Sequence, residues 1–291
     1  MGPIEFFFMF FAISLVIRMI AVLGGIGGGM MFTSLMMGFT GVDSYIIRAT
    51  GLLIATSGSV IAARRFLSRG LANIRIVLFA GVPYAGFAVI GALMAGYVKQ
   101  HMGEVGEAAI RLSLGTIVIF VATLIVFGGK RSQYPEVKHV DGFSRKLGLA
   151  MSYWEESLGK VVNYEVSRAP VALALFCFTG FLSGLFGIGA GWAMVPTFNL
   201  IMLAPLKVAA TSTTVLMGVG DTAAVWQYMK GGAIFPLFAA PCLAGSMLGA
   251  ILGSRIMIRA NALYVRLIII AIMFGSGIKL VLDGVTRLIH L

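Results

Sequence analysis

Apolar stretches long enough to cross a lipid bilayer constrain the fold of this chain more than any other feature. They lie at 4–23, 46–63, 75–97, 108–128, 169–186, 208–229, 233–254 and 263–282. A helix needs about 20 apolar residues to cross the hydrocarbon core. Only 11% of the 291 residues are charged and 59% are hydrophobic, so too few polar side chains exist to cover a water-soluble globule. The sequence therefore predicts an all-α polytopic membrane protein.

Two further apolar pieces, 30–40 and 192–203, are too short to cross a bilayer as helices. Each follows a glycine cluster, which reads GGIGGG at 24–29 and GIGAG at 187–191. Glycine tolerates backbone conformations that end a helix. Each short piece is therefore expected to be a glycine-broken or re-entrant helix.

The glycine clusters also indicate an internal repeat. At an offset of 162 residues, four positions of the first cluster meet the same residue type in the second: Gly25, Ile26, Gly27 and Gly29. Ordered matches follow downstream, where Ala49-Thr50 matches Ala210-Thr211 and Gly91-Ala92 matches Gly249-Ala250. Such a run is typical of a duplicated chain. The sequence predicts a first transmembrane repeat at 1–128, a cytoplasmic linker at 129–168 and a second repeat at 169–291.

The positive charges favour an inverted relation between the two repeats. Although the net charge is +11, 14 of the 22 Lys and Arg residues lie in three segments that flank apolar spans, at 64–75, 130–168 and 255–266. This placement fits the positive-inside rule and argues against nucleic-acid binding. If the short pieces are re-entrant, all three basic segments share the cytoplasmic side and both termini lie outside. If they only kink a crossing, the third segment falls on the opposite side.

The linker has one apolar face at helical spacing, formed by Phe143, Leu147, Met151, Trp154, Leu158 and Val161. This pattern predicts an amphipathic helix that lies in the cytoplasmic membrane interface, with Trp154 at headgroup depth. A linker that only spaces the repeats is an equally compatible interpretation.

The paired helix breaks are the candidate substrate site. A short helix that begins after a glycine cluster directs free N–H groups and the positive end of its dipole toward the break. Two such ends, brought together by a pseudo-two-fold axis, can bind a small anion. The backbone candidates are Gly25, Gly27, Gly28, Gly29, Gly187, Gly189, Ala190 and Gly191. The alternative is that these glycines only permit close helix packing.

Several side chains near the breaks are further candidates. Thr211, Ser212 and Thr213 open the span after the second break and can donate hydroxyl hydrogen bonds to an oxyanion; Thr50 lies at the matching position of the first repeat. Arg48 is a candidate for bidentate anion contact, with an interfacial anchor as its alternative. Trp192 is a candidate pocket residue, although aromatic residues inside bundles also serve packing.

Two charged residues lie inside or beside apolar spans. Asp221 lies halfway along 208–229. A carboxyl group at that depth indicates coupling to H+ or Na+, or gating; a structural partner for helix ends or for Arg48 is the alternative. Arg18 precedes the first break by one turn, and we expect its side chain to extend to the membrane surface rather than hold the anion.

The sequence lacks the residue sets of several other classes. Cys177 and Cys242 offer no disulfide framework, and His101, His139 and His290 fall in loops or at the terminus, so no metal or other cofactor is expected. Walker-type phosphate loops are missing too, which leaves ion or solute gradients to drive transport. A membrane enzyme would need a reactive thiol or paired carboxylates, and we expect no enzymatic activity.

The paired motifs resemble the TauE/SafE family over essentially the whole chain. The second copy is most similar, with Gly189 to Pro196 followed by Ala210-Thr211-Ser212. The first copy departs from the pattern, because Ser34 stands opposite Pro196 and Arg48-Ala49-Thr50-Gly51 replaces Ala-Thr-Ser. The resemblance implies a permease of bacterial or archaeal inner membranes that handles sulfite, sulfoacetate or similar sulfonates, usually by export.

The sequence thus predicts a multi-pass secondary transporter, an exporter, whose partners are the lipid bilayer and a small anionic substrate. An anion channel and an uptake permease for sulfur compounds are the alternatives. The substrate, the coupling ion and assembly into a homodimer stay open.

Overall fold

A computed structural model of the chain describes residues 2–24, 28–127, 134–135, 137, 139–155, 159–256 and 262–289. The first half contains α1 (Pro3–Gly24), α2 (Gly28–Phe39), α3 (Ser44–Ser68), α4 (Ile74–His101) and α5 (Gly103–Phe127). The linker contains α6 (Gly142–Lys146), β1 (Met151–Glu155) and β2 (Lys160–Tyr164). The second half contains α7 (Ala169–Phe186), α8 (Gly191–Pro196), a π-helical turn (Thr197–Ile201), α9 (Leu206–Lys230), α10 (Pro236–Ile256) and α11 (Ala262–Ile289).

Each of the eight predicted spans corresponds to one long helix, and seven of them are confirmed as helices that can cross a membrane; the span 263–282, in α11, stays a prediction. Within the described residues, seven helices are long and apolar enough to cross a membrane. Apolar side chains cover their outer surface; on α4, Leu78 is 62% exposed and Val82 75% exposed. Such a surface is stable only in lipid, where a helix satisfies its own backbone hydrogen bonds. The chain is therefore an all-α, multi-pass integral membrane protein.

Both short pieces are half-length helices that fold back on the helix before them. The rings of Phe10 and Phe32 both contact Phe238, whereas Arg18, further along α1, lies beside Gly28 at the start of α2. The second short helix folds back on α7 in the same way: the rings of Phe176 and Phe198 lie 5.5 Å apart, and the Ser167 N–H before α7 donates to the Met202 carbonyl at 3.0 Å. These contacts show that α2 returns along α1 rather than extending it, which is the re-entrant form of the sequence prediction.

A proline widens the second short helix. Pro196 ends α8, and its ring nitrogen has no proton to donate to an earlier carbonyl. The next turn is π-helical, and the Met202 N–H donates to the Thr197 carbonyl five residues earlier at 3.0 Å. The turn ends beside Ala204, whose N–H donates to Phe198.

The long helices form four pairs with defined directions. In the pair α1–α10, Gly245 packs on the Phe11 carbonyl and Gly253 on that of Met19, so these helices are parallel. In α4–α7, Gly180 packs on Tyr84 and Gly184 on Ala88, again parallel. Glycine allows this close approach because it has no side chain.

The other two pairs are antiparallel. At one end of α3–α9, the rings of Tyr45 and Tyr228 lie 5.0 Å apart; at the other end, the Thr211 hydroxyl donates to the Leu71 carbonyl at 2.8 Å. In α5–α11, Gly277 packs on Ile119 and Gly284 on Leu112. Equivalent third and fifth helices of two repeats therefore run in opposite directions. This supports the inverted repeat, which stays a prediction along with the repeat boundaries.

The two ends of the bundle differ in charge. The loops 69–73 and 202–205 lie at the same end as the linker; described basic residues there are Arg69, Arg75, Arg145, Lys146, Lys160, Arg168 and Lys207. The same end carries the acidic residues Asp141, Glu155 and Glu165, whereas at the opposite end Asp43 and Glu107 balance Lys99 and Arg111. By the positive-inside rule, the excess of basic residues at the linker end supports a cytoplasmic linker, which stays a prediction.

The linker is not the predicted amphipathic helix. Among the linker residues that the structure describes, only Gly142–Lys146 is helical, and β1 and β2 form an antiparallel hairpin in which Trp154 pairs with Val161. In β1 the alternation places Met151 on the same face as the buried Tyr153 and Glu155, and Trp154 on the opposite, exposed face. Gly159, with a φ of 57°, supplies the left-handed conformation that the turn before β2 requires. Leu158 lies outside the described residues.

Asn73 joins the hairpin to the bundle. Its side chain accepts from the N–H groups of Arg75 and Ile76 at the start of α4, and donates to the Leu149 carbonyl and the Tyr164 hydroxyl at 2.8 and 2.9 Å. Burial raises the pKa of Tyr164 to about 12, so that hydroxyl is protonated at neutral pH.

Replacing Asn73 with alanine is expected to destabilise the protein by about 1–3 kcal/mol, because it removes a helix cap and leaves buried groups without partners. Thermal unfolding in detergent measures the effect. Asn163→Ala on the exposed face of β2 is the matched control, and equal melting temperatures for the two variants would contradict the anchoring role.

Candidate functional site

The two glycine breaks meet inside the bundle. A Cβ atom added to Gly29 would lie 2.9 Å from the Ile188 carbonyl of the second break and 2.9 Å from the Gly51 carbonyl on α3. The Thr33 hydroxyl of α2 donates to the Gly187 carbonyl at 2.9 Å. The described part of the first break is therefore in direct contact with the second, as the repeat predicted. Gly25 and Gly27 lie outside the described residues.

Helix α3 lines both breaks. The Ala55 methyl group would lie 3.1 Å from a Cβ added to Gly29 and 2.9 Å from one added to Gly189. Gly187 and Gly189 have φ angles of 68° and 70°, which strain any residue with a side chain. Gly187 also packs against the backbone of Arg48. Glycine is thus required at 187 and 189 by the positive φ angles as well as by the close packing.

The short helices present their N-terminal ends at this meeting point. Gly28 and Gly29 begin α2, and Ala190 and Gly191 begin α8; all four residues are buried. The first N–H groups of a helix have no acceptor within it. Of the two N-terminal ends, the one at Gly28 belongs to the longer helix, because α2 has twelve residues and α8 has six.

Arg48 is buried and its hydrogen bonds go to main-chain carbonyls. Its Nη1 donates to the Leu185 carbonyl at 3.1 Å, and its Nε donates to the Ser44 carbonyl at 3.2 Å. The Tyr228 hydroxyl donates to the neighbouring Gly184 carbonyl at 2.8 Å. Arg48 and Tyr228 thus donate to carbonyl groups in the last turn of α7, which have no N–H partner within the helix because the second break ends it. The alternative of an interfacial anchor is wrong, because Arg48 is 1% exposed.

Arg48 also borders a cavity of about 310 Å³ at the outer end of the bundle. The charged side chains that line the cavity are Asp43, Arg48, Lys99, Glu104, Glu107, Arg111 and Arg287. Both signs of charge are present, and Arg111 is bound to Glu107 and to the Met37 carbonyl. This cavity therefore has no concentrated positive field.

The predicted hydroxyl ligands bind other groups in this structure. Thr211 donates to the Leu71 carbonyl, and the Ser212 hydroxyl accepts from the Asn73 N–H at 3.0 Å. Thr50 donates to the carbonyl of Ile46 in its own helix. Thr213 is buried, and its hydroxyl has no hydrogen-bond partner among the described residues. The first two residues lie at the linker end of α9, and no described contact joins them to the breaks.

Asp221 lies at the second break. Its Oδ1 accepts from the Tyr84 hydroxyl and, at 3.1 Å, from the Ser183 hydroxyl. Its carboxyl group also interacts with the backbone N–H of Ala190 at the start of α8, and its Oδ2 would lie 3.3 Å from a Cβ added to Gly189. The alternative role as a partner of Arg48 is wrong, because Arg48 binds carbonyl groups, whereas the contact with Ala190 agrees with the alternative role as a partner for a helix end.

Arg18 was expected to reach the membrane surface, and this expectation is wrong. The side chain is 6% exposed, and its guanidinium lies between Gly28 of α2 and Gly58 of α3. Its Nε and Nη1 atoms have no hydrogen-bond partner among the described residues. The expectation assumed an open end of α1, whereas α2 folds back over it. The sequence did contain a signal for this burial, because the apolar piece 30–40 is only half as long as a membrane span.

Trp192 is half-buried at the start of α8, and its indole nitrogen has no hydrogen-bond partner among the described residues. The ring packs against an apolar cluster that includes Ile188. The packing alternative therefore describes its observed contacts. No group of three or more His, Cys, Asp or Glu side chains that could hold a metal ion occurs in the described part of the chain.

Comparison with known proteins agrees with this architecture. The family described as "Sulfite exporter TauE/SafE" matches residues 10–280. A curated relative from Bacillus subtilis (strain 168), "Probable membrane transporter protein YunE", is 28% identical over 132 residues. That match covers 45% of this chain and 48% of the relative, so it spans about half the length of each. No solved structure matches the chain. Because the family match extends over nearly the whole sequence, the chain belongs to the TauE/SafE family of membrane transporters.

Proposed function

We propose that the protein is a secondary transporter that exports a small anion, such as sulfite or an organosulfonate of the sulfoacetate type. The anion binds where the two glycine breaks meet, and the linker faces the cytoplasm. The family name supports the substrate class, and the contact between Gly29 and Ile188 supports the position of the site.

The contact between the breaks is the observation that carries this proposal. A helix end at membrane depth must be covered by protein or line a cavity, because lipid cannot satisfy its N–H groups. Here each break is covered by the other, in a bundle whose equivalent helices run in opposite directions. Transporters with inverted repeats use such discontinuous helices to hold an anion near the membrane midplane. Rocking of one repeat against the other would then expose the site to each side in turn.

Asp221 is the proposed coupling residue, and H+ is the proposed coupling ion. An ionised carboxylate beside the second break repels an anion, whereas a protonated one does not, so the proton and the anion are carried together and an outward anion gradient drives their export. The Tyr84 and Ser183 hydroxyls occupy Oδ1 and leave Oδ2 available for a proton. A carboxyl group in such a buried position is functional by default.

Counterflow in proteoliposomes tests the transport proposal. Vesicles loaded with unlabelled sulfite or sulfoacetate are diluted into a trace of the labelled anion. We expect a transient accumulation of label that saturates with concentration and is not supported by taurine or by a carboxylate of similar size. A linear, non-saturating flux with no transient accumulation would identify an anion channel instead.

A further inference from the structure

We infer that Arg18 is the charged ligand of the transported anion, which its guanidinium binds together with the first amide groups of α2. This inference rests on the proposed function and gives Arg18 the anion-holding role that was set aside on sequence grounds in favour of the membrane surface. The ligand is a compact oxyanion with at least two terminal oxygens on one centre, such as the sulfite ion or the head group of a sulfonate.

Two glycines build the space in which Arg18 lies. A Cβ atom added to Gly28 would collide with Nη1, and one added to Gly58 would collide with Nη2 and lie 3.0 Å from Cζ. Gly249 of α10 packs against the Cβ atom of Arg18 from another side. The guanidinium is therefore held at the first residue of α2, and its position depends on the lack of side chains at two sites.

The lack of partners distinguishes Arg18 from the other buried arginines of the described chain. Arg48 donates to the Leu185 carbonyl, and Arg111 binds Glu107 and the Met37 carbonyl. For Arg18, by contrast, two of the three guanidinium nitrogens have no acceptor within the part of the chain that the structure describes, and no described carboxylate forms an ion pair with it. Burying a cation without a partner is very unfavourable, so a bound anion would remove a large penalty.

The geometry of the free donors indicates the class of anion. A guanidinium donates to two oxygens of one group through Nη2 together with either Nε or Nη1, so Nη1 beside Gly28 and Nη2 beside Gly58 form one such pair. Nη1 is the nitrogen beside Gly28, where the N–H groups at the start of α2 add further donors and the positive end of a helix dipole. A halide has a single centre, so it cannot accept two parallel hydrogen bonds on two separate atoms and should bind less tightly than an oxyanion.

Thermal unfolding of the full chain in detergent, with sulfite, sulfoacetate or chloride, tests the assignment. We expect Arg18→Leu to melt at the same temperature as the unchanged protein or higher when no anion is added, because an unpaired buried charge is removed. The stabilisation by sulfite or sulfoacetate should be lost. Arg18→Lys should weaken it, because lysine cannot donate in a bidentate manner. Arg145→Leu, in the linker, is the matched control and should keep the full anion response.

A second variant displaces the guanidinium without removing its charge. Gly58→Ala places a methyl group against Nη2 and should raise the sulfite concentration needed for half-maximal stabilisation by roughly tenfold, a change of about 1.4 kcal/mol. Gly86→Ala on α4 is its control, since a Cβ there meets nothing within 4 Å.

The outcomes separate this inference from the proposed function. If the unchanged protein is stabilised by sulfite and shows counterflow, but Arg18→Leu keeps both, the anion binds elsewhere and the assignment is wrong. If Arg18→Leu melts at a lower temperature without anion and responds normally to sulfite, Arg18 has a structural role only. If no anion stabilises or is exchanged by the unchanged protein, the transport proposal itself fails.

Discussion

Replacing Gly29 with alanine is expected to lower anion transport by roughly tenfold or more. The added methyl group would lie 2.9 Å from the Gly51 and Ile188 carbonyls, and neither of these backbone atoms can move without shifting a helix. Overpacking of this kind costs about 1–3 kcal/mol. Every 1.4 kcal/mol is about a tenfold change in an equilibrium constant, so the arrangement in which the breaks meet becomes strongly depopulated.

Initial counterflow rates for labelled sulfite, normalised to reconstituted protein, measure this effect. Gly86→Ala makes the same chemical change in an exposed position of α4 and should transport normally. Gly189→Val should also abolish transport, because a β-branched residue at a φ of 70° is strained. Folding is checked by size-exclusion chromatography and melting temperature. Normal transport by a folded Gly29→Ala variant would show that the contact between the breaks is not part of the transport site.

Replacing Asp221 with asparagine is expected to abolish accumulation driven by a pH gradient while counterflow persists. Asparagine has nearly the same shape and keeps an oxygen that accepts from the Tyr84 and Ser183 hydroxyls, but it cannot bind or release a proton. Counterflow exchanges one anion for another without a proton gradient, so it needs only the anion site. The internal-to-external anion ratio should therefore fall to the value set by the membrane potential.

Proteoliposomes with an imposed pH gradient and a clamped membrane potential measure that ratio. Asp141→Asn, at the start of α6 in the linker, is the control and should accumulate the anion normally. If Asp221→Asn keeps its response to the pH gradient, Asp221 is not the proton site. Loss of counterflow along with accumulation would instead give Asp221 a role in binding or folding.

Local sequence patterns were sufficient to predict the membrane spans and both short helices. Continuous apolar runs determine the long helices because every backbone group in lipid must be satisfied within its own helix. The glycine clusters determine where the short helices begin, at Gly28 and Gly191. Each of these features depends on neighbouring residues only.

The surroundings of the charged and hydroxyl side chains depend on distant contacts, and these could not be predicted. Arg18 is buried because α2 folds back and because Gly58, forty residues later in the chain, leaves room for it. Arg48 binds Leu185 because α7 ends beside α3. Thr211 and Ser212 bind Leu71 and Asn73 because the start of α9 meets the α3–α4 loop.

The linker was mispredicted for a different reason. Residues 143, 147, 151, 154, 158 and 161 fit one helical face, but the alternation of β1 places Met151 beside the buried Tyr153 and Trp154 on the opposite face. Trp154 and Val161 are paired across the strands and exposed. Over so short a stretch the spacing of a few apolar residues does not distinguish a helix from two strands joined by a turn that ends at Gly159.

The position of a bound anion tests the central claim most directly. Selenite has the shape and charge type of sulfite, and its anomalous scattering locates the selenium atom in crystals of the protein. We expect one selenium peak within hydrogen-bonding reach of the Arg18 guanidinium and the amide groups of Gly28 and Gly29, where the two breaks meet. A peak only in the outer cavity beside Arg111 and Arg287, at a selenite concentration that saturates transport, would contradict the account.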